Sequence, residues 1–369
     1  MIPRLDERPV EDNNDRPRRI EAERDFTKQE TTVDSQPTVI VSGFADEAAV
    51  SKTAVEQLSV FAALGLDYYS LRFIDLGQGV KNVMKLTRPE IDELRRLHRV
   101  YDMKVASIGS PIGKVKLLDV DDGTKNAFVP FKKYLKEDVA RAIHLAHTFE
   151  TKLLRGFSFY PPRGGDAAAH ISQASEQLAA IAEKCGDGGV IYGLEVEANL
   201  VGKNGRTLAE IFRRVNSPQM KLIFDGGNLS TQNVPAAAVV AEYEAMKHGI
   251  GWMHIKDYRI DAKLQWTGVV DEERLKNFVP ADEGDSGHET IFRDFRAMLP
   301  ALEKKLKKLG VPGVFLDLEP HLKGGGQFGG FSGPDGMGVA LRSLLRLLDY
   351  TGIAYRLRDM DSIRRSRGF

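Results

Sequence analysis

The sequence has 369 residues, of which 42% are hydrophobic and 28% charged, with 52 basic and 52 acidic side chains. Because the formal net charge is zero, the electrostatic attraction on which nucleic-acid and membrane-surface binding rely is missing, so we expect neither partner. The single cysteine, Cys185, excludes a disulfide scaffold and any cysteine-rich zinc or iron–sulfur site.

The chain begins with a charged segment, residues 1–36, that has few aliphatic side chains. Such a segment cannot bury enough apolar surface to offset the entropy of ordering, and it is predicted to be a flexible tail. It also lacks the apolar core of a secretory signal, and no apolar run in the chain approaches the roughly 18 residues that span a bilayer. We therefore expect a cytoplasmic protein with a folded domain over residues 37–357 and a C-terminal tail over residues 358–369.

From Thr38 onward, short β-branched or apolar runs alternate with longer amphipathic segments, which is typical of strands alternating with helices. The predicted strands cover residues 38–44, 68–72, 104–110, 152–159, 189–197, 220–225, 251–255 and 313–319. The predicted helices cover residues 51–64, 88–101, 131–149, 167–185, 207–215, 236–248, 291–309 and 338–348. Thr87, with Glu90 three residues later, predicts a capping box at the start of the second helix.

Eight strand–helix pairs in this order and length predict an α/β protein of the (β/α)8 TIM-barrel class. The alternative is a doubly wound open sheet, but the glycine-rich phosphate-binding fingerprint of that fold is absent after the first strand. Two connections are unusually long, residues 257–289 and the glycine-rich residues 324–338. In a barrel both lie at the carboxyl ends of the strands, where active sites form.

Charged residues stand at the ends of the last four predicted strands. A lone buried ion costs several kcal/mol, so such positions call for a partner. One Glu, Asp, His and Glu from successive strands make a binding set for one divalent cation, either Mn²⁺ or Mg²⁺ for the carboxylates, with the imidazole favouring Mn²⁺, Co²⁺ or Zn²⁺. For each residue alone, a helix cap or a loop ion pair is the competing explanation. The strand-end residues are Glu195, Glu197, Asp225, His254, Lys256, Asp257, Glu319 and His321.

Several short motifs occur in a fixed order over residues 39–350. They are Ser-Gly-Phe-Ala-Asp-Glu at 42–47, Ser-Pro-Ile-Gly-Lys at 110–114, Phe-Ser-Phe-Tyr at 157–160, Leu-Glu at 194–195, Phe-Asp at 224–225 with Asn228, His-Ile-Lys-Asp at 254–257, and Glu-Pro-His-Leu at 319–322. In their order and spacing the sequence resembles the xylose isomerase-like TIM-barrel proteins, also called the sugar phosphate isomerase/epimerase superfamily.

The resemblance implies a set of metal ligands and proton-transfer groups. In that family the strand-five Glu, strand-six Asp, strand-seven His and strand-eight Glu bind the metal, and the two Glu also act as acid and base. Carried over, these are Glu195, Asp225, His254 and Glu319. Glu197 competes with Glu195, because it lies two residues on and points to the same side of the strand; the preceding Leu194 favours Glu195.

Other polar residues near the strand ends are expected to bind substrate. Many family members have a His three residues after the strand-six Asp, where this chain has Asn228, which can hydrogen-bond a hydroxyl but cannot carry a proton. His321 is a partial substitute, and Asp257 could instead orient His254. The expected substrate-binding residues are Asn228, Lys256, Asp257, Arg72, Lys114, His321 and Glu197, with Arg155 a further cation at a strand end that could bind substrate oxygens or a phosphate.

The resemblance and the ligand set together predict a sugar isomerase or epimerase that acts on a small carbohydrate or a close derivative. One divalent ion, with Mn²⁺ favoured over Mg²⁺, Co²⁺ or Zn²⁺, would stabilise an enediolate while one Glu removes the proton and the other returns it. The alternatives are a lyase or hydrolase that cleaves a keto-sugar or glycoside at the same site, and a sugar-binding barrel without catalysis. Assembly into a homo-oligomer stays open.

Overall fold

The computed structural model describes residues 37–323 and 332–366. Eight parallel strands form the barrel wall, and each lies within or close to its predicted range. They are β1 (Thr38–Gly43), β2 (Tyr68–Leu71), β3 (Lys104–Ile108), β4 (Leu153–Gly156), β5 (Ile191–Glu195), β6 (Met220–Asp225), β7 (Ile250–Ile255) and β8 (Phe315–Leu318). The predicted TIM-barrel class is confirmed.

The strands pair in chain order from β2 to β8, and β8 pairs with β1 in parallel register. A single bridge between Phe44 and Ser70 joins the end of β1 to β2 and closes the ring. A short strand, Ala354–Tyr355, adds to the outer edge at the start of β1. The side chains between the strands and the surrounding helices form one continuous apolar core.

Helices follow the strands as predicted. The main helices are α1 (Ala54–Ala63), α2 (Arg88–Tyr101), α3 (Ala140–Thr148), α4 (Ile171–Asp187), α5 (Gly205–Val215), α6 (Ala236–Met246), α7 (His288–Lys308) and α8 (Gly333–Thr351). In α2, Ile91, Leu94 and Leu97 recur at three-residue spacing and are buried. The capping box of Thr87 and Glu90 is present, and the Thr87 N–H donates to the Glu90 carboxylate at 2.8 Å.

Local geometry departs from the prediction at several places, and α8 begins at Gly333, within the connection predicted over residues 324–338. The helix predicted over residues 131–149 divides into Phe131–Tyr134, a π-helical turn at Leu135–Val139, and α3. The long connection after β7 carries an antiparallel hairpin of Asp257–Tyr258 and Phe278–Val279. A second hairpin, Phe73–Asp75 with Val80–Asn82, follows β2. Pairings of two or three residues give too little periodicity to be recognised in a sequence.

The sequence predicts tails at both ends of the chain, over residues 1–36 and 358–369. The tail predicted over residues 1–36 and residues 324–331 of the glycine-rich connection lie outside the described residues. Met360–Ser366, in the segment expected to be a C-terminal tail, forms a short helix. Arg358 is buried beside it and donates to Asp67 and to the carbonyl oxygen of Tyr101. In the part of the chain that the structure describes, no helix combines the length and apolarity that crossing a membrane requires.

Candidate functional site

Four strands deliver polar side chains to one end of the barrel. Glu195 and Asp225 are the last residues of β5 and β6, and His254 lies one residue before the end of β7. Glu319 directly follows β8, and its N–H donates to the Ile255 carbonyl oxygen at 3.1 Å. Asp225 is in register with His254. The parallel register thus brings the carboxyl ends of four neighbouring strands to the same level.

These four residues form a buried cluster. One ligand atom from each lies within 4.8 Å of the corresponding atoms of the other three, and each residue is at most 3% exposed. His254 Nδ1 lies 3.1 Å from Glu195 Oε1 and 3.6 Å from Glu319 Oε2. The structure therefore brings together Glu195, Asp225, His254 and Glu319, the residues expected as ligands.

The atoms at the centre of the cluster fit a divalent cation. Among the described residues, Glu195 Oε2, Asp225 Oδ2 and both ring nitrogens of His254 are buried and make no hydrogen bond, although Asp225 Oδ2 lies 3.0 Å from the Lys256 ammonium and His254 Nδ1 lies 3.1 Å from Glu195 Oε1. Buried polar atoms normally have partners, and a bound cation would provide a partner for one atom of each residue. Three carboxylates and one imidazole are a donor set that suits Mn²⁺, Mg²⁺, Co²⁺ or Zn²⁺.

Burial and neighbouring charges shift the pKa values of the three carboxylates in the cluster. Burial raises the pKa of Asp225 to about 6, against the opposing effect of Lys256. Burial would also raise the pKa of Glu195, but the neighbouring His254 and Arg155 outweigh it and hold that pKa at about 2. The pKa of Glu319 lies well below its ordinary value, because Lys256 and Arg72 outweigh the effect of burial.

Lys256 reaches into the cluster rather than toward its neighbour Asp257. Its ammonium lies 3.0 Å from Asp225 Oδ2 and 2.9 Å from Glu319 Oε2, and the residue is 4% exposed. The pKa of Lys256 is raised, because Asp225 and Glu319 outweigh the effect of burial. Lys256 thus neutralises part of the negative charge of the carboxylates.

Two arginines line the cluster and differ in their bonding. Arg72 donates from Nε and both Nη atoms to Asp46, Glu47 and Glu319. Arg155 Nη1 lies 3.6 Å from Glu195 Oε2 and 3.6 Å from Glu319 Oε1, beyond hydrogen-bond length. Arg72 is therefore saturated by carboxylates, and Arg155 is not.

Asn228 lies in the short helix that follows β6 and supports the cluster. Asp225 Oδ1 caps the short helix Gly226–Ser230 by accepting from the Asn228 N–H at 2.9 Å. The Asn228 amide nitrogen then donates to Glu195 Oε1 at 3.2 Å and to the Val196 carbonyl oxygen at 3.0 Å. Asn228, expected to bind substrate, holds Glu195 in this structure.

His321 and Glu47 form a second contact beside the cluster. The His321 N–H donates to Glu47 Oε2 at 2.8 Å, and its ring Nδ1 lies 2.8 Å from Glu47 Oε1. His321 Nε2 is 4.0 Å from Glu319 Oε1. The His321 and Phe278 rings pack in a T-shaped arrangement, with 5.0 Å between ring centroids.

Three expected substrate-binding residues lie farther from the centre or face elsewhere. Glu197 pairs with Lys114 at 2.9 Å, and both side chains are partly exposed at the rim. Asp257 is buried, and its carboxylate accepts from the Tyr258 and Ser286 N–H groups and contacts His288. Asp257 therefore anchors the long connection, and its hydrogen bonds do not go to His254.

Sequence reasoning missed a polar layer beneath the cluster. Asp317 Oδ2 accepts from Ser70 Oγ at 2.7 Å, and Ser70 Oγ lies 2.8 Å from Ser107 Oγ. The signal was present, since Asp317 lies two residues before Glu319 and faces the same side of β8. Phe44 was also missed: its ring lies edge-to-face with His254 and contacts the guanidinium groups of Arg72 and Arg155.

Comparisons with known proteins bear on the fold. A family model described as xylose isomerase-like TIM barrel matches residues 58–344. No curated protein matches the sequence.

Many solved structures share the fold. A xylose isomerase-like TIM-barrel protein from Mycobacterium smegmatis, in complex with magnesium, is 19% identical with a TM-score of 0.56, covering 85% of this chain and 96% of that one. The probable 3-DHS dehydratase AsbF from Bacillus anthracis is 14% identical (TM-score 0.57; coverage 84% and 98%). A D-allulose 3-epimerase from Methylomonas sp., in complex with D-allulose, is 15% identical (TM-score 0.53; coverage 84% and 96%). At these identities the similarity shows the fold.

Proposed function

The chain belongs to the xylose isomerase-like TIM-barrel family, and from that premise we propose that it is a divalent-metal-dependent isomerase or epimerase of a sugar or close sugar derivative. One observation carries the proposal: four buried residues on four neighbouring strands each bring one ligand atom to within 4.8 Å of the others, which is the arrangement that one cation needs. A sugar-binding barrel without catalysis would not need three carboxylates desolvated at one point.

Glu195, Asp225, His254 and Glu319 would hold the ion. When bound, such an ion would supply Lewis-acid chemistry, because a cation beside a substrate carbonyl oxygen favours the negative charge that develops there when a neighbouring proton is removed. Mn²⁺ fits the mixed set of oxygen and nitrogen donors best. Asn228 keeps Glu195 in position through its amide, and Asp225 is fixed by its role as a helix cap.

We assign proton abstraction from the carbon next to the carbonyl to Glu195. A carboxylate has two oxygens, so one oxygen of Glu195 can accept the proton while the other would hold the ion. Both oxygens of Glu319 accept hydrogen bonds from Arg72 and Lys256, so they are less accessible to a substrate proton than Glu195 Oε2. Glu319 is then the second proton-transfer group, needed when the proton returns to the other face of the carbon.

The test combines metal analysis with isotope exchange. The purified protein, loaded with Mn²⁺, is incubated in D₂O with a panel of ketoses and aldoses, and deuterium at the carbon next to the carbonyl is measured. We expect exchange with at least one sugar, and losses of about 100-fold or more in Glu195→Gln and in Glu319→Gln. Glu210→Gln, an exposed change on α5, is the control and should exchange like the wild type.

Two outcomes would contradict the proposal. Full exchange and full metal content in both Gln variants would remove the two carboxylates from the mechanism. Release of water or of a glycoside leaving group, without isomerised product, would favour the lyase or hydrolase alternative. Metal content also tests whether Glu195 or Glu197 is the ligand from predicted strand five. Glu197→Gln should keep its metal, whereas Glu195→Gln should bind less.

A further inference from the structure

A cavity lies at the end of the barrel opposite the cluster. It has a volume of about 630 Å³, and the first residues of four strands line it, namely Tyr68 of β2, Lys104 of β3, Leu153 of β4 and Phe315 of β8. The cluster, in contrast, lies at the carboxyl ends of the strands. Cavities of about 300–1,000 Å³ are typical of small-molecule sites, so this one is large enough for a ligand that the proposed reaction does not use.

The wall of this cavity carries more positive than negative charge. Its one imidazole belongs to His98, and burial together with Arg95 and Arg99 lowers the pKa of His98 to about 4, so this ring is neutral at pH 7. Asp102 Oδ2 lies 3.9 Å from Nη2 of Arg358, which does not line the cavity and offsets part of the negative charge of Asp102. The charged lining residues are four cations, Arg95, Arg99, Lys104 and Lys152, and two carboxylates, Asp102 and Glu150.

Within the described residues, the four cations of the cavity wall form no ion pair with a carboxylate, although neighbouring cations do. Arg88 and Arg96 each pair with an acidic residue of α2. Arg95 and Arg99 lie four residues apart on one face of the same helix and have no such partner in that part of the chain. An anionic ligand could therefore bind these cations without first breaking an ion pair.

The inner surface of the cavity is apolar and partly aromatic. Phe149 and Phe315 are buried there, and the Tyr68 ring packs against the Phe315 ring with 5.2 Å between centroids. Met103 and Val311 are buried at the same surface. A flat apolar group gains from contact with aromatic rings, whereas a bare inorganic anion would leave this apolar surface in contact with water. The lining therefore favours a ligand that has both an anionic group and an apolar body.

We propose that this cavity is a second ligand site, which binds an organic phosphate with a flat apolar body, such as a nucleotide. A phosphate ester carries close to two negative charges at pH 7, which balances the excess of four cations over two carboxylates in the lining. Its three oxygens can accept from several cations at once, whereas a carboxylate has two oxygens and one charge. The site shares no residue with the cluster, so the inference does not rest on the proposed function.

The test measures, by calorimetry, the binding of adenosine 5′-monophosphate (AMP), adenosine and inorganic phosphate to the full-length protein. We expect AMP to bind at least about tenfold more tightly than adenosine, which lacks the charge, and than phosphate, which lacks the apolar body. In the double variant Arg95→Gln/Arg99→Gln the affinity for AMP should fall at least about tenfold. The matched control is Arg88→Gln/Arg96→Gln, which removes two paired arginines from the same helix and should change the affinity less than about twofold.

Absence of AMP binding by the wild type would overturn the inference, as would equal binding of AMP and adenosine. An affinity for AMP that survives in Arg95→Gln/Arg99→Gln would assign the phosphate to another site and also overturn it. Equal weakening in both double variants would reflect only the loss of net positive charge, which contradicts a built site. All four arginines are exposed, and if Arg95→Gln/Arg99→Gln nevertheless fails to fold, Lys104→Gln/Lys152→Gln decides by the same criteria.

Discussion

Lys256 occupies the space between two expected metal ligands, which leads to a prediction about metal affinity. Its ammonium is within 3.0 Å of Asp225 and Glu319, so it repels any cation that binds the same oxygens. We predict that Lys256→Met binds Mn²⁺ about tenfold more tightly than the wild type, measured by calorimetry. Without metal the same variant should lose about 3 kcal/mol of unfolding free energy, because two buried carboxylates lose their partner.

The control for this change is Lys114→Met, which removes a cation paired at the rim with Glu197. It should alter the affinity for Mn²⁺ by less than about twofold, since a partly exposed charge is screened. Unchanged or weaker metal binding in Lys256→Met would contradict the picture of a cation that competes with the metal.

Single residues also show what the sequence could specify at the site. Glu195, Asp225, His254 and Glu319 could be named because parallel strands bring their ends together and because the resemblance to the family singles out these four positions. Asp257 could not be distinguished from a site residue, because its partner His288 lies 31 positions later in a connection of unknown path. The unused donors of Arg155 are likewise a matter of distances of a few tenths of an ångström, which spacing in a sequence does not encode.

At the scale of elements, the start of α2 allows a prediction about pH. The Glu90 carboxylate accepts from Lys81 and from the Thr87 N–H, and these bonds lower the pKa of Glu90 to about 2. Because the pKa is lower in the folded state, the stabilisation is present above about pH 4.5 and is lost as the pH falls toward 2. Glu90→Gln should lose about 1 kcal/mol at pH 7, and the difference from the wild type should shrink at pH 3.5.

Urea unfolding at the two pH values measures this, with Glu93→Gln as the control. Glu93 pairs with Arg96 on the exposed face of α2, so its loss should cost less than about 0.5 kcal/mol. A gap between Glu90→Gln and wild type that stays constant from pH 7 to pH 3.5 would show that the carboxylate charge does not stabilise this helix start.

The regular elements were predictable, and the irregular ones were not. The start and end of α2 and of β6 agree with the sequence prediction, because cap residues and apolar periodicity mark them. The hairpin that folds back the connection after β7 depends on tertiary contacts. Among those contacts are the hydrogen bonds of the Asp257 carboxylate with the Ser286 N–H and with His288, which no local pattern in the sequence predicts.

At the scale of the whole molecule, the barrel explains why residues far apart in sequence act at one point. Glu195 and Glu319 are separated by 124 positions, yet both lie within 3.6 Å of His254 Nδ1. The closed ring, completed by the bridge of Phe44 to Ser70, fixes this geometry before any ligand arrives, so little ordering is needed on binding. The same ring places Arg72, Arg155 and Lys256 around the cluster.

The most direct test of the account is anomalous X-ray diffraction from crystals of the protein soaked with Mn²⁺, with data collected on both sides of the manganese absorption edge. We predict one strong anomalous peak at the carboxyl end of the barrel, at coordination distances of about 2.0–2.3 Å from atoms of Glu195, Asp225, His254 and Glu319. A peak elsewhere, or these four side chains turned away from one another around an empty centre, would contradict the account.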